Sequence, residues 1–110
     1  MHLSIRKLLG PKGRFARLCP GYEHRDEQVQ MAEAVTDALL HKEHLLVEAG
    51  TGVGKTVAYL VPAIRHAVSG KPVIVSTHTI NLQSQLVNND IPLMTTVLKS
   101  HPFRYALMKG

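Results

Sequence analysis

The spacing of apolar residues predicts helices in four parts of this 110-residue chain. Between Arg25 and Leu40 the apolar side chains recur every three or four residues, the period of an amphipathic helix, at Val29, Ala32, Val35 and Leu39. A second helix is predicted from Gly54 to about Val68, because the sequence SGKP then supplies a helix-ending glycine and proline. A third runs from the capping residue Thr79 to about Asn89, where the sequence DIP closes it. A short fourth helix is predicted around Leu93 to Lys99.

Three short apolar runs between these helices predict strands. They are HLLVE (44–48), VIVS (73–76) and FRYALM (103–108). Strands that alternate with helices are typical of an α/β fold, in which right-handed crossovers join the strands of a parallel sheet. Three strands make a thin core for this architecture, so we expect the sheet to be incomplete at its C-terminal end.

The composition is that of an ordinary globular domain, with 45% hydrophobic and 19% charged residues. A single cysteine, Cys19, excludes an internal disulfide and any metal or cluster site built from several cysteines. The longest apolar run, VAYLVPAI, is far shorter than a membrane span. We therefore expect a cytoplasmic protein without a membrane partner.

The net charge of +5 is unevenly distributed along the chain. Residues 1–17 contain no acid and five basic residues: Arg6, Lys7, Lys12, Arg14 and Arg17. The turn sequences GPKG and CPG predict an irregular basic arm over residues 1–21, ahead of a main domain over 22–110. Two interpretations of its charge stay open, a solubilising surface and a face that binds a polyanion.

The stretch AGTGVGKT (49–56) has the pattern of a phosphate-binding loop, with alanine at the position usually taken by the first glycine. The loop lies between a predicted strand and a predicted helix, as that motif requires. Its glycines let backbone N–H groups turn towards an anion, and the N-terminus of the following helix adds positive potential. The candidate residues for binding ATP phosphates are Ala49, Gly50, Thr51, Gly52, Val53, Gly54, Lys55 and Thr56. Lys55 is expected to neutralise phosphate charge, and the Thr56 hydroxyl to bind Mg²⁺.

Two further stretches narrow the class of nucleotide-binding protein. In YEHRDEQ (22–28), the Gln28 amide can both donate to and accept from the edge of adenine, with Tyr22 and Arg25 in support. In STHTINLQSQL (76–86), residues Thr77, His78 and Thr79 follow a predicted strand and begin a helix. Such hydroxyls and N–H groups suit the phosphates of a nucleic acid, although Thr79 can simply cap the helix.

With these three motifs in this order, the sequence resembles superfamily-two helicases, and within them the DinG-like branch related to XPD. The resemblance covers nearly the whole chain, including GPKGRFARLCPGYEHR. It implies a partial RecA-like motor domain and an enzyme that couples ATP hydrolysis, with Mg²⁺, to 5′-to-3′ movement on single-stranded DNA, in repair or replication. Lys55 and Thr56 would be its catalytic residues in this chain, and Thr77, His78, Thr79 and Gln83 would contact DNA.

The chain lacks other parts of such a motor. After Glu48 its only carboxylate is Asp90, which we expect in a loop, and it has neither a DEAH-like box nor a second lobe. We therefore expect the N-terminal fragment of a helicase, not catalytic alone, whose partner is the remainder of the helicase. The parent enzyme could hold an iron–sulfur cluster, but this chain could not. Two alternatives stay open: a small phosphotransferase, and a nucleic-acid- or protein-binding module that keeps the loop as a relic.

Overall fold

The computed structural model describes residues 4–19, 22–49, 54–99 and 101–108. In these ranges the chain forms helices joined by turns and extended segments. The helices are α1 (Ile5–Leu9), α2 (Arg14–Leu18), α3 (Asp26–His41), α4 (Lys55–Val68), α5 (Ile80–Gln85) and α6 (Ile91–Val97), with a π-helical turn at Leu86–Asp90 between the last two. None of them has the length and apolar character that crossing a membrane requires.

Helices α3 and α4 form the largest contact in the fold. Both were predicted from the sequence, and their ends agree with the prediction to within one residue. Gly70, with a φ of 99°, follows α4 within the predicted ending sequence. Helix α4 turns an apolar face inward, which meets Val29 and Ala32 of α3 and Met94 and Val97 of α6 in one core.

The predicted basic arm is folded onto this core. Its two short helices bury Leu8, Leu9 and Phe15 almost completely. The Arg14 guanidinium also donates to the Val97 carbonyl oxygen at 3.2 Å, which ties α2 to the end of α6. The apolar side chains on either side of residue 21 share the same core. The domain boundary predicted at that point stays a prediction.

The three predicted strands are not strands in this structure. Residues 44–48, 73–76 and 103–108 have no regular secondary structure, and the part of the chain described here contains no β-ladder. Most of their apolar side chains are exposed, Leu46 at 97% and Ile74 at 93%, whereas Phe103 is half-buried and packs against the core. A strand exists only through hydrogen bonds to a neighbouring strand, so an apolar run without such a neighbour stays unpaired however strong its local preference.

The sequence DIP does not end the third predicted helix. The backbone stays helical from Ile80 to Val97, through the π-helical turn that holds Asp90. Pro92 lies in the first turn of α6. The wider hydrogen-bond spacing of a π-helical turn allows this proline to follow a helix without the clash it would cause in an uninterrupted one. Asp90 is therefore a helical residue, where the sequence predicted a loop.

The burial of α1 gives a direct test of the packing of the arm. Leu8→Ala should lower the free energy of unfolding by about 2–5 kcal/mol, because it leaves a cavity in the core. The same substitution at Leu18, which is 52% exposed on α2, should change it by about 0.5 kcal/mol or less. Urea unfolding of the two variants measures the difference. Equal small losses would mean that the arm does not contribute to the core.

Candidate nucleotide-binding site

The site is centred on the junction between the predicted phosphate loop and α4. Gly54 precedes the helix with φ 76° and ψ 49°, a left-handed conformation that a residue with a Cβ adopts only at a cost. No side chain caps the first turn of α4. Its N–H groups and the positive end of the helix dipole therefore suit an anion. Gly50, Thr51, Gly52 and Val53 of the predicted loop lie outside the described residues.

Lys55 reaches back across the loop. Its Nζ donates to the carbonyl oxygen of Ala49 at 3.2 Å, so the ammonium group lies beside the residue that begins the loop. The side chain is exposed and its partner is a neutral carbonyl. A phosphate would be a stronger acceptor for this ammonium, because a charge-assisted hydrogen bond is about twice as strong as a neutral one.

Gln28, the predicted adenine-reading residue, is bonded to the end of the same loop. Its side chain is 5% exposed, and its Nε2 donates to the Gly54 carbonyl oxygen at 3.2 Å. The Tyr22 hydroxyl lies 2.9 Å from Gln28 Oε1 and equally close to the Leu9 carbonyl oxygen, so two acceptors share its single proton. Gln28 and Tyr22 therefore lie within hydrogen-bond distance of each other. The recognition of adenine by these residues stays a prediction.

Arg25, the third predicted base-contacting residue, lies at the N-cap of α3. Its carbonyl oxygen accepts from the Gln28 N–H at 3.1 Å. The guanidinium Nη2 pairs with Glu23 at 3.0 Å, and both side chains are substantially exposed. An exposed pair of this kind adds little stability, so the Arg25 side chain is available to a ligand at small cost.

His24 contacts the same Leu9 carbonyl oxygen as Tyr22. The sequence pattern did not predict a role for this residue. Its Nδ1 lies 3.0 Å from the Leu9 carbonyl oxygen and its Nε2 lies 2.9 Å from Asp26 Oδ1. Both partners are acceptors, so both contacts are hydrogen bonds only when the ring carries two protons. The Leu9 carbonyl and then the bond to Asp26 raise the pKa of His24, while partial burial and the nearby Arg6 act in the opposite direction. When it carries both protons, the ring joins the end of α1 to the start of α3.

Thr56, the predicted Mg²⁺ ligand, lies one turn before Tyr59 on α4. Burial is the main cause that raises the pKa of Tyr59, with a smaller contribution from the Asp90 carboxylate, and a hydrogen bond with Thr56 acts in the opposite direction. Burial also raises the pKa of Asp90, whose Oδ2 has no hydrogen-bond partner among the described residues. The structure therefore brings a carboxylate towards this face of α4, which the prediction of a loop at Asp90 did not foresee.

The predicted DNA-contacting residues lie at the start of α5. Thr79 caps this helix, accepting from the Leu82 N–H at 3.1 Å through its hydroxyl oxygen. An accepting hydroxyl keeps its own proton, so Thr79 can still donate to a phosphate. The Thr77 hydroxyl lies 3.5 Å from the Thr79 carbonyl, His78 is exposed, and Gln83 is half-buried. Capping is therefore present, and DNA contact stays a prediction.

Comparison with known proteins identifies relatives over most of the chain. Residues 28–103 match the family model described as DEAD/DEAH box helicase. The chain is 47% identical over 100 residues to the ATP-dependent DNA helicase YoaA of Escherichia coli, covering 91% of this chain and 15% of that protein. It is 50% identical over 95 residues to the ATP-dependent helicase DinG of Mycobacterium tuberculosis, covering 82% of this chain and 14% of that protein.

A third relative carries a different name. The chain is 42% identical over 102 residues to the 3'-5' exonuclease DinG of Bacillus subtilis, which covers 92% of this chain and 11% of that protein. The chain thus spans between about a ninth and a seventh of the length of these relatives. No solved structure gives a significant match.

The contact between Gln28 and Gly54 predicts unequal costs for two glycine substitutions. A Cβ at Gly54 would collide with the Gln28 amide, whereas a Cβ at Gly70 would meet no atom. Both residues have positive φ, so each alanine variant should lose about 1–3 kcal/mol through backbone strain. Gly54→Ala should lose about 1–2 kcal/mol more, because displacing Gln28 breaks two hydrogen bonds.

Urea unfolding of Gly54→Ala, Gly70→Ala, Gln28→Ala and the double variant Gln28→Ala, Gly54→Ala measures these terms. The double variant should lose less than the sum of its two single losses, because the amide is already absent. Additive losses would contradict the contact.

The raised pKa of His24 predicts a pH-dependent contribution to stability. Because folding raises its pKa, the stabilisation should be complete below the unfolded value of about 6.5 and should disappear as the pH rises through the higher folded value. The difference in Tm between the unchanged chain and His24→Ala should therefore be largest at low pH. The exposed His44 provides a matched control, His44→Ala. A difference in Tm that is constant with pH would show that the ring acts only by packing.

Proposed function

Because this chain belongs to the DEAD/DEAH box helicase family, we propose that it is the nucleotide-binding front part of an ATP-dependent DNA helicase. The observation that carries the proposal is the junction at Gly54. There the first turn of α4 has no side-chain cap. The buried Gln28 amide donates to the Gly54 carbonyl oxygen, and the Lys55 ammonium donates to the Ala49 carbonyl oxygen. Movement from 5′ to 3′ on DNA, in repair or replication, is the activity that we propose for the whole protein.

The residues at this junction fit Mg-ATP. A triphosphate is an anion rich in acceptors, and it would lie against the first turn of α4 and the Lys55 ammonium. The Thr56 hydroxyl, in the first turn of that helix, would bind Mg²⁺, which favours oxygen ligands. When bound, Mg²⁺ neutralises phosphate charge. Lys55 and Thr56 are thus the residues of this chain to which we assign a part in catalysis.

Base recognition falls to the stretch that precedes α3. The Gln28 amide has two donor protons and two acceptor lone pairs. The protein occupies one donor with Gly54 and one acceptor with Tyr22, so one of each is left for the edge of adenine. Arg25, in an exposed pair with Glu23, would support the base or its ribose.

Single-stranded DNA is the proposed second ligand. The start of α5 presents the hydroxyls of Thr77 and Thr79 beside the exposed His78, with Gln83 one turn further along. Contacts of this type to phosphates are independent of sequence and weaken with salt.

The remaining partner in the proposal is the rest of a longer helicase chain. Domains of this family have the RecA-like fold, and we propose that the parallel sheet of that fold forms in the longer chain. Residues 44–48, 73–76 and 103–108 would be its strands, once neighbouring strands pair with them. The proposal places the protein in the cytoplasm and leaves any iron–sulfur cluster to the longer protein, since Cys19 alone could not hold one.

The ammonium of Lys55 is the point at which nucleotide binding can be tested. Lys55→Ala removes a charge-assisted contact worth about 1.5–3 kcal/mol, so the affinity for a fluorescent ATP analogue should fall at least about tenfold. Lys71→Ala, which removes an equal charge at another exposed position, should leave the affinity unchanged. Titration with Mg²⁺ present gives both values.

Competition with unlabelled nucleotides separates the parts of the proposal. ATP should displace the analogue better than GTP does, and Gln28→Ala should narrow that gap. Equal ATP affinity in Lys55→Ala and the unchanged chain would reject the phosphate site and favour a module that keeps the loop as a relic.

A further inference from the structure

We propose that the basic turn joining α1 and α2 binds the backbone phosphates of a single-stranded nucleic acid, in addition to the contact proposed for residues 77–79. The basic turn is defined as residues 6–17, which comprise the turn between the two helices and the basic residues of both helices. The proposal rests on the proposed function only for the choice of DNA as the ligand. Its physical basis lies in the charge, shape and rigidity of the turn itself.

A cavity of about 510 Å³ lies along the basic turn. Five cationic side chains line it, and no carboxylate does: the five are Arg6, Lys7, Lys12, Arg14 and Arg17. Among the described residues, Glu33 is the acid that pairs with any of them, at 3.5 Å from Arg6, and both side chains of that pair are largely exposed. Such a pair is weak, so it leaves most of the positive charge uncompensated.

The cations are carried on a rigid frame. The buried side chains of Leu8, Leu9 and Phe15 hold both helices on the core. Between them the chain turns so tightly that a Cβ on Gly13 would lie 2.6 Å from the Leu8 carbonyl oxygen. A frame of this kind lowers the conformational entropy that a ligand would otherwise have to remove.

Arg14 is held most firmly of the five. One of its terminal nitrogens donates to the Val97 carbonyl oxygen at 3.2 Å, which fixes the plane of the guanidinium. A guanidinium has five N–H donors, so several remain for a phosphate. The side chains of Lys7, Lys12 and Arg17 are exposed and have no partner within the described ranges.

The lining chemistry favours a phosphate backbone over a base. The cavity has no aromatic side chain, so bases cannot stack there in the way that specific single-strand sites use. Five cations without an acid match a ligand that repeats one negative charge per nucleotide, and arginine suits the planar geometry of phosphate oxygens. The basic turn should therefore add affinity that is independent of base sequence and sensitive to salt.

The salt dependence of binding measures this contribution. The triple variant Lys7→Ala, Lys12→Ala, Arg17→Ala leaves Arg14 and the buried side chains intact. For single strands, the slope of log K against log salt changes by about 0.7 per phosphate contact, so this variant should lose about two units of slope. Fluorescence anisotropy of a labelled oligothymidylate, titrated with the 110-residue chain at several salt concentrations, gives the slope.

Two control variants keep the result specific. Lys71→Ala, Lys99→Ala, Arg104→Ala removes the same charge from exposed positions outside the cavity and should keep the slope. The charge-conserving variant Lys7→Arg, Lys12→Arg, Arg17→Lys should also keep it. A thermal melt of each variant shows that the fold is retained, and titration with the ATP analogue reports the nucleotide site separately.

The outcomes divide cleanly. A loss of slope confined to the alanine variant of the basic turn supports the proposal, whether or not ATP binds. Equal losses in both alanine variants would overturn it, because net charge alone would then explain binding. An unchanged slope, or no DNA binding by the unchanged chain, would overturn it as well. Displacement of the oligothymidylate by an equal charge of oligoglutamate would assign the turn to an acidic protein partner instead.

Discussion

The hydrogen bond from the buried Gln28 amide to the Gly54 carbonyl is the constraint on which the arrangement of the site depends. A buried amide must satisfy its polar atoms, because each one left unpaired costs about 1–3 kcal/mol. Gln28 does so by joining the start of α3 to the start of α4, and its other partner, Tyr22, lies within hydrogen-bond distance of the Leu9 carbonyl oxygen at the end of α1. His24 meets the same carbonyl. Three elements distant in sequence are therefore fixed by one polar network.

In our proposal Gln28 has a structural role and a part in binding adenine, and the first does not exclude the second. Its bonds to Gly54 and Tyr22 hold the amide in one plane, and that order is established before any ligand arrives. Preorganised donors and acceptors bind a ligand with a smaller entropic cost than mobile ones. The remaining donor and acceptor of the amide are thus held in a fixed direction within a side chain that is 5% exposed, next to the loop proposed for the phosphates. In that proposal the base would contact Gln28 and the triphosphate would contact the loop that ends at Gly54. The hydrogen bond from Gln28 to Gly54 joins these two groups.

The sequence predicted those features that depend on local interactions. The periodicity of apolar residues in α3 and α4 is set within each helix. The pattern AGTGVGKT contains the glycine and lysine found at the start of α4. It failed where the outcome depends on distant partners. Leu46 lies in a run with clear strand preference, yet none of the described residues forms a strand that pairs with it. The burial of Leu8 and the contact of His24 with the Leu9 carbonyl depend on residues that no local pattern specifies.

In the described residues, the candidate site is held by a side-chain contact between helices and not by a sheet. A parallel strand is stable when neighbours pair with its edges and helices cover its faces. Residues 44–48 have neither in the part of the chain described, and Leu46 faces solvent directly before the phosphate loop. The loop is nevertheless fixed at its far end, by the Gln28 amide and by the start of α4. The position of the end of α4 that we propose to bind phosphate therefore depends on α3, through the Gln28 side chain.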